Sequence, residues 1–356
     1  MPAETTRAAW RGLRLAFGTA AGFTTASALG WPAALLSPIL FIQLSAGLPG
    51  SPPSLAFALQ TIAAIAACVF VGWLVTFVVA FPSVSVLLIA LLLFAAFWEQ
   101  AGGRAGLAPF VLMIAVCVLP VLAIEAPEVA TLIAVELVRA SAVAFLLVWG
   151  TWALFPDPRT PATAADPRKA PPARPMSPPG IGARDRARIA LINTLVVMPM
   201  VLAFLLFQLS SAVVALITTL AIVRAQTHDV RLGIAGGLLG GNLVAGLTAV
   251  LATAMIYAAT SLLMLFAVVL LAALLLAGRL IFAPPARAPV WITALVSTVA
   301  LLDATLSVLS EGAGAAAWSR VLYLSAAILY TTATLRLTAG LRPLGSGDKL
   351  GRTLEL

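Results

Sequence analysis

Four charged side chains stand inside long apolar stretches of this sequence, where a charge needs a partner or water. They are Glu136, Arg139, Asp303 and Arg320. In a membrane each would cost about 2.5 to 3.5 kcal/mol on insertion scales, so such residues pair with one another or line a wet pathway. Glu136 and Arg139 are three residues apart and share one helix face. Asp303 and Arg320 are expected at depths that allow a second pair.

These four residues allow two interpretations. In the structural one, both pairs neutralise buried charge and hold helices together. In the functional one, Arg139 and Arg320 face a central cavity and bind an anion. Glu136 and Asp303 then compete with the anion for the arginines and exchange protons. Both interpretations stay open at the level of the sequence.

Two uncharged residues are further candidates for substrate contacts. Tyr323 follows Arg320 by three residues, and Asn193 lies in another apolar stretch. Such an aromatic is as readily a packing residue, and such an amide as readily a helix-helix hydrogen bond.

The remaining polar residues exclude several kinds of catalysis. The chain has one histidine, two cysteines inside apolar stretches, and two lysines, neither of which ends a P-loop motif. This composition offers no multi-histidine metal site and no disulfide framework. We therefore expect that the protein is not an enzyme and that it binds neither a metal nor a cofactor.

The overall composition indicates that lipid is the solvent for most of the chain. Of its 356 residues, 62% are hydrophobic and only 10% are charged, whereas soluble domains carry about a quarter charged residues. The net charge of +8 comes from basic residues between apolar runs. They are topology signals, and binding of nucleic acid is not expected.

Apolar runs of spanning length predict an all-α polytopic membrane protein with about twelve transmembrane helices. The first six are expected at 12–30, 33–47, 54–80, 83–98, 107–124 and 127–155, and the second six at 187–208, 210–225, 230–258, 260–282, 288–308 and 313–337. The second, fourth and eighth are short for a span, so re-entrant segments remain possible there.

The two sets of helices are interpreted as parallel six-helix repeats, residues 1–155 and 187–340. Arg14 to Ala16 (RLA) aligns with Arg188 to Ala190 (RIA) at an offset of 174 residues, as expected of a duplication. A Pro-rich linker, 156–186, joins them, and 341–356 form a tail. The alternative, a cleaved signal peptide at the first helix, would remove one member of a duplicated pair.

Basic residues fix the expected orientation. Arg7, Arg11 and Arg14, the linker and the tail all carry positive charge, and the basic short loops fall on the same side. The positive-inside rule then places both termini in the cytoplasm of a bacterial inner membrane.

Glycines predict one tight helix contact. Gly233, Gly237 and Gly241 recur every four residues in the ninth predicted helix, a spacing that lets two backbones approach closely in lipid. The expected neighbour is the third helix, 54–80, and a translocation path lined by bare backbone is the functional alternative.

Several motifs together resemble the fusaric acid resistance family. They are the basic first turn, Gly30-Trp31-Pro32 after the first helix, the small-residue-rich third helix, and a sixth helix carrying Arg139 and ending at Phe155-Pro156. The resemblance implies an inner-membrane component of an efflux system for aromatic carboxylic acids, working with a periplasmic membrane-fusion protein. Longer members carry cytoplasmic domains after the helical blocks, at the places where this sequence has the Pro-rich linker and the tail.

From these observations we expect a proton-coupled exporter of small organic acids, and of aromatic ones first. The expected partners are the bilayer and the organic anion, with a membrane-fusion protein and a second copy of the chain as further candidates. An anion channel and a non-transporting subunit of an export complex remain the alternatives.

Overall fold

A computed structural model gives the fold of the chain. It describes residues 3–47, 52–102, 107–156, 182–207, 216–217, 219–220, 223, 233–258, 261–284, 287–309, 326, 329–331, 333–334 and 337. These residues are almost entirely helical and include no strand. The predicted all-α class is therefore confirmed.

Ten long helices lie within the described residues. In chain order they are α1 (Ala3–Ala28), α2 (Leu36–Gly47), α3 (Leu55–Thr76), α4 (Pro82–Ala101), α5 (Leu107–Glu125), α6 (Pro127–Leu154), α7 (Ala183–Phe207), α8 (Gly233–Ala258), α9 (Leu262–Phe282) and α10 (Ala288–Leu309).

The described helices follow the predicted apolar runs closely. Six of them, α3 to α7 and α9, are long and apolar enough to cross a membrane. The fourth is longer than expected, because Pro82 starts it and it continues through Glu99 and Gln100. The predicted runs at 210–225 and 313–337 lie mostly outside the described residues, so the count of twelve and the two repeats stay predictions.

The chain divides into two compact units, each built from three segments. The first unit comprises residues 1–66, 132–176 and 236–321, and the second comprises 67–131, 177–235 and 322–356. Each unit therefore combines helices from the early and the late part of the chain.

Helix α1 forms the centre of the first unit. It packs along α9 and against α2, and α10 packs on both α9 and α2. Glycines on α1 make this close packing possible, since a side chain at Gly12 would meet Ile281 and one at Gly18 would meet Phe41. Buried Ala16, Ala20 and Phe23 continue the contact face.

The second unit contains a group of three helices, α4, α5 and α7, that pack against one another. Helix α4 packs along α7 and against α5, and α5 also contacts α7. Gly72, near the end of α3, allows an equally close approach to Ala115 on α5.

A glycine-dependent cap ends α1. Gly30 has a φ of +64°, in the left-handed region that side chains with a Cβ disfavour. The amide of Gly30 donates to the carbonyl of Ser27, and the amide of Trp31 donates to that of Ala26. These two bonds form a Schellman motif, which stops the helix and fixes the position of Trp31.

Candidate functional site

Arg14 is a buried arginine on α1, with only 5% of its surface exposed. Its guanidinium carbon lies 3.7 Å from the centre of the Trp152 ring on α6. One guanidinium nitrogen donates a long hydrogen bond, 3.4 Å, to the carbonyl oxygen of Phe155. The ring of Phe155 packs against Trp10 and Phe17 of α1. The end of α6 therefore holds this arginine in a defined place.

Beside Arg14 lies a cavity of about 320 Å³ within the first unit. We call it the basic cavity. It is lined by Ala8, Arg11, Arg14, Leu15, Ser45, Val148, Thr151, Trp152, Leu280, Ile281, Ala288 and Ile292. Five helices, α1, α2, α6, α9 and α10, contribute to this lining, and its volume falls at the lower end of small-molecule sites.

The lining residues have two kinds of chemistry. Arg11 and Arg14 supply guanidinium groups that bind carboxylates and phosphates through paired hydrogen bonds. Leu15, Val148 and Ile292 supply apolar surface, and no acidic side chain stands among the described residues of the lining. The arrangement suits an anion with an apolar body.

A second charged cluster lies further along α6, in the same unit. Arg139 forms an ion pair with Glu136, and its guanidinium carbon lies 4.0 Å from the centre of the Trp31 ring. The Glu136 side chain is 3% exposed and that of Arg139 is 39% exposed. The sequence analysis predicted that these two residues could pair, and the structure brings them together.

The basic cavity was missed by the sequence analysis. Arg11 and Arg14 were interpreted as topology signals in the basic first turn. Arg14 nevertheless falls inside the first predicted helix, 12–30, and a charge within an apolar span is the same signal that singled out Arg139. Trp152 and Phe155, which hold Arg14, come from a distant part of the sequence and give no local signal.

The other predicted site residues fall in different places. Arg320 and Tyr323 lie outside the described residues, so their roles stay predictions. Asp303 is half-buried on α10. Asn193 is fully buried on α7 of the second unit.

Of the three predicted packing glycines, Gly241 shows a close helix contact. A Cβ at this position would lie 3.0 Å from the carbonyl oxygen of Val290 and 3.6 Å from Cβ of Ala294, so Gly241 lets α8 approach α10. Gly233 and Gly237 also lie in α8. Their contact with the third helix stays a prediction.

Metal-binding chemistry is not apparent where the structure can be described. Within those ranges no three His, Cys, Asp or Glu side chains stand close enough together to hold a metal ion. The two cysteines, Cys68 and Cys117, are free thiols.

Part of the chain is similar to a known protein family. A family described as a protein of unknown function (DUF2955) matches residues 11–149. No curated protein and no solved structure matches the chain. The matched stretch contains Arg11, Arg14, Trp31, Glu136 and Arg139, and it ends shortly before Trp152 and Phe155.

Proposed function

We propose that this protein is an inner-membrane transporter that exports small organic acids, aromatic ones among them, and that the basic cavity is its substrate site. The observation that carries the proposal is the buried Arg14 in the wall of a cavity whose remaining lining is largely apolar. A carboxylate can bind the guanidinium while its hydrocarbon body contacts Leu15 and Val148. Six helices of spanning length and composition support a membrane location.

The positive-inside rule supports access to this cavity from the cytoplasm. The cavity lies where α1 begins and α6 ends, since its lining includes Ala8 and Trp152. Arg7, Arg11 and Arg14 lie at this end of α1, and in the sequence the Pro-rich linker follows α6. Segments with this excess of arginine are retained in the cytoplasm.

The Glu136–Arg139 pair supports coupling to protons. Arg139 lies thirteen residues before Trp152 on α6, or about 20 Å along the helix axis. A substrate carboxylate that reaches Arg139 competes with the buried Glu136 for the guanidinium. We propose that this competition for Arg139 links the flux of the anion to the flux of protons.

Two observations support the proposed duplication. In the predicted repeat, α1 corresponds to α7 and α4 corresponds to α9. The pairing of α1 with α9 in the first unit is thus the same repeat pairing as that of α7 with α4 in the second. The sequence offset of 174 residues relates α1 to α7.

The test is transport by purified protein in proteoliposomes with an imposed proton gradient. We expect uptake or release of a hydroxybenzoate that follows the gradient. Arg14→Gln should reduce the flux by about tenfold or more, the usual loss for one charge-assisted hydrogen bond. Arg279→Gln removes the same charge from an exposed residue of α9 outside the cavity lining, and it should transport normally.

The same vesicles distinguish the alternatives. A channel would carry anion current along the gradient of the anion alone, with no response to an imposed pH difference. Absence of flux over a panel of hydroxybenzoates and related acids would contradict the proposal.

A second candidate is a non-transporting membrane subunit of an export complex. The pairing of Glu136 with Arg139 favours it, because a paired intramembrane charge can serve to hold α6 in place. In that case the chain would bind a membrane-fusion protein, and Arg14→Gln would leave the activity of the complex unchanged.

A further inference from the structure

Two arginines stand one helical turn apart at the same wall of the basic cavity. Arg11 and Arg14 are three residues apart on α1, so their side chains leave the helix on one face. Both line the cavity. Arg14 is buried and held over Trp152, whereas Arg11 is exposed. An anion in the cavity therefore meets a buried guanidinium held by its neighbours and, beside it, an exposed one.

Placing two like charges on one helix face has an energetic cost. Like-charge pairs one turn apart destabilise a helix, and the repulsion grows where one member is withdrawn from water. A ligand with two negative groups can neutralise both guanidinium groups. A ligand with one negative group neutralises one of them. The hydroxyl of Ser45 adds a polar group to the lining.

The apolar part of the lining limits what connects the two negative groups. It consists mainly of Leu15, Val148, Leu280, Ile281 and Ile292. A short hydrocarbon or a ring fits this surface, whereas a polyhydroxylated body would leave its hydroxyls without partners there. The volume of about 320 Å³ restricts the ligand to a small molecule.

The predicted repeat relates α1 to α7, and of these two helices α1 carries the pair of arginines. At the offset of 174 residues, Asp185 stands where α1 has Arg11, and Arg188 stands where it has Arg14. Arg188 is exposed on α7. A topology signal needs positive charge but no burial, so burial of Arg14 next to Arg11 calls for a different role.

From this geometry we infer that the basic cavity selects small organic anions with two negative groups over those with one. Arg14 anchors the first group and Arg11 determines specificity for the second. This inference rests on the proposed function, because it assigns the substrate class to the same cavity.

The test compares acids that share one ring and differ in charge. Binding of benzoate, isophthalate and terephthalate to the purified full chain is measured by titration calorimetry at pH 7 and constant ionic strength, because salt screens these interactions. We expect the better of the two dicarboxylates to bind about tenfold or more tightly than benzoate, as one additional charge-assisted hydrogen bond provides. The two dicarboxylates cover two spacings of the carboxylates.

Variants separate the roles of the two arginines. Arg11→Gln should bring the affinity for the dicarboxylates down to that for benzoate, so that it weakens dicarboxylate binding by a clearly larger factor than benzoate binding. Arg14→Gln should weaken all three acids. Arg279→Gln is the matched control for loss of one positive charge, and it should change none of them.

The possible failures are distinguishable. Equal affinity of the wild type for benzoate and both dicarboxylates, or an equal effect of Arg11→Gln on all three acids, would overturn the selection of dianions. The proposed function would survive that result if binding still depended on Arg14. Binding of none of the acids would contradict both. Because Arg11 is exposed, its replacement leaves the buried face of α1 intact. An unchanged elution profile on size exclusion verifies that the variant is folded.

Discussion

At the scale of single residues, two arginines rest on tryptophan rings with different consequences. Arg139 lies over Trp31 and is paired with Glu136, whereas Arg14 lies over Trp152 and lines the basic cavity. Each ring contact is worth about 0.5 to 2 kcal/mol, more where water is excluded. The ring contact thus fixes the position of each guanidinium.

The unequal burial of the Glu136–Arg139 pair gives a stability prediction. Arg139→Gln leaves a carboxylate that is 3% exposed without its counter-charge, whereas Glu136→Gln leaves an arginine that is 39% exposed. We expect Arg139→Gln to lower the free energy of unfolding by about 2 to 4 kcal/mol and Glu136→Gln by about 1 kcal/mol. Thermal unfolding in detergent measures both. An equal or larger loss for Glu136→Gln would contradict the assigned burial.

Removing the ring beneath Arg14 should weaken anion binding without removing the charge. Trp152→Leu is expected to lower the affinity for an organic acid by about three- to tenfold, because the guanidinium loses its fixed orientation. Trp149→Leu is the control, since Trp149 lies one turn earlier on α6 and its indole donates to the carbonyl oxygen of Pro53 instead. Equal affinities of the two variants would show that Trp152 does not orient Arg14.

At the scale of helices, the ends of α1 and α6 position the arginines. The Schellman motif at Gly30 places Trp31 against Arg139, and Phe155, just after α6, accepts a hydrogen bond from Arg14. Both positions belong to motifs that the sequence analysis singled out, Gly30-Trp31-Pro32 and Phe155-Pro156. Each of these motifs therefore has a structural role beyond ending a helix.

The cap of α1 can be tested through Gly30. A Cβ at a φ of +64° costs about 1 kcal/mol, so Gly30→Ala should lower the free energy of unfolding by about that amount. Gly150→Ala on α6 serves as the control, because Gly150 has open space around it and alanine favours a helix by about 1 kcal/mol. Unfolding in detergent compares the two. Unchanged stability of Gly30→Ala would contradict the left-handed cap.

At the scale of the whole molecule, each compact unit combines helices from both sides of the linker. The pairing of α1 with α9 does so in the first unit, and the pairing of α4 with α7 does so in the second. Neither half contains a complete set of packing partners. The contact between α1 and α9 can therefore form only after α9 has been synthesised.

Splitting the chain in the linker tests this dependence. Residues 1–156 and 182–356 expressed separately should each aggregate or be degraded, whereas their co-expression should give a complex that survives purification in mild detergent. A tag on one half and size exclusion of the eluate provide the measurement. A half that is stable and monodisperse on its own would contradict the need for the pairings of α1 with α9 and of α4 with α7.

The sequence predicted the helices better than it predicted the site. Apolar runs specify where helices lie, because lipid requires about 20 consecutive apolar residues, and the predicted boundaries of α5 and α9 agree within two residues. The Glu136–Arg139 pair followed from local helix geometry. Burial of Arg14 did not, since it depends on Trp152 and Phe155, whose approach is a matter of tertiary packing.

The most direct test of the account is to locate a bound acid. A density map of the purified protein with an iodine-substituted benzoate would show where the anion lies. The account predicts its carboxylate within hydrogen-bonding distance of the Arg14 guanidinium and its ring against Leu15 and Val148. A bound acid elsewhere in the molecule, with the basic cavity free of it at saturating concentration, would contradict the central claim.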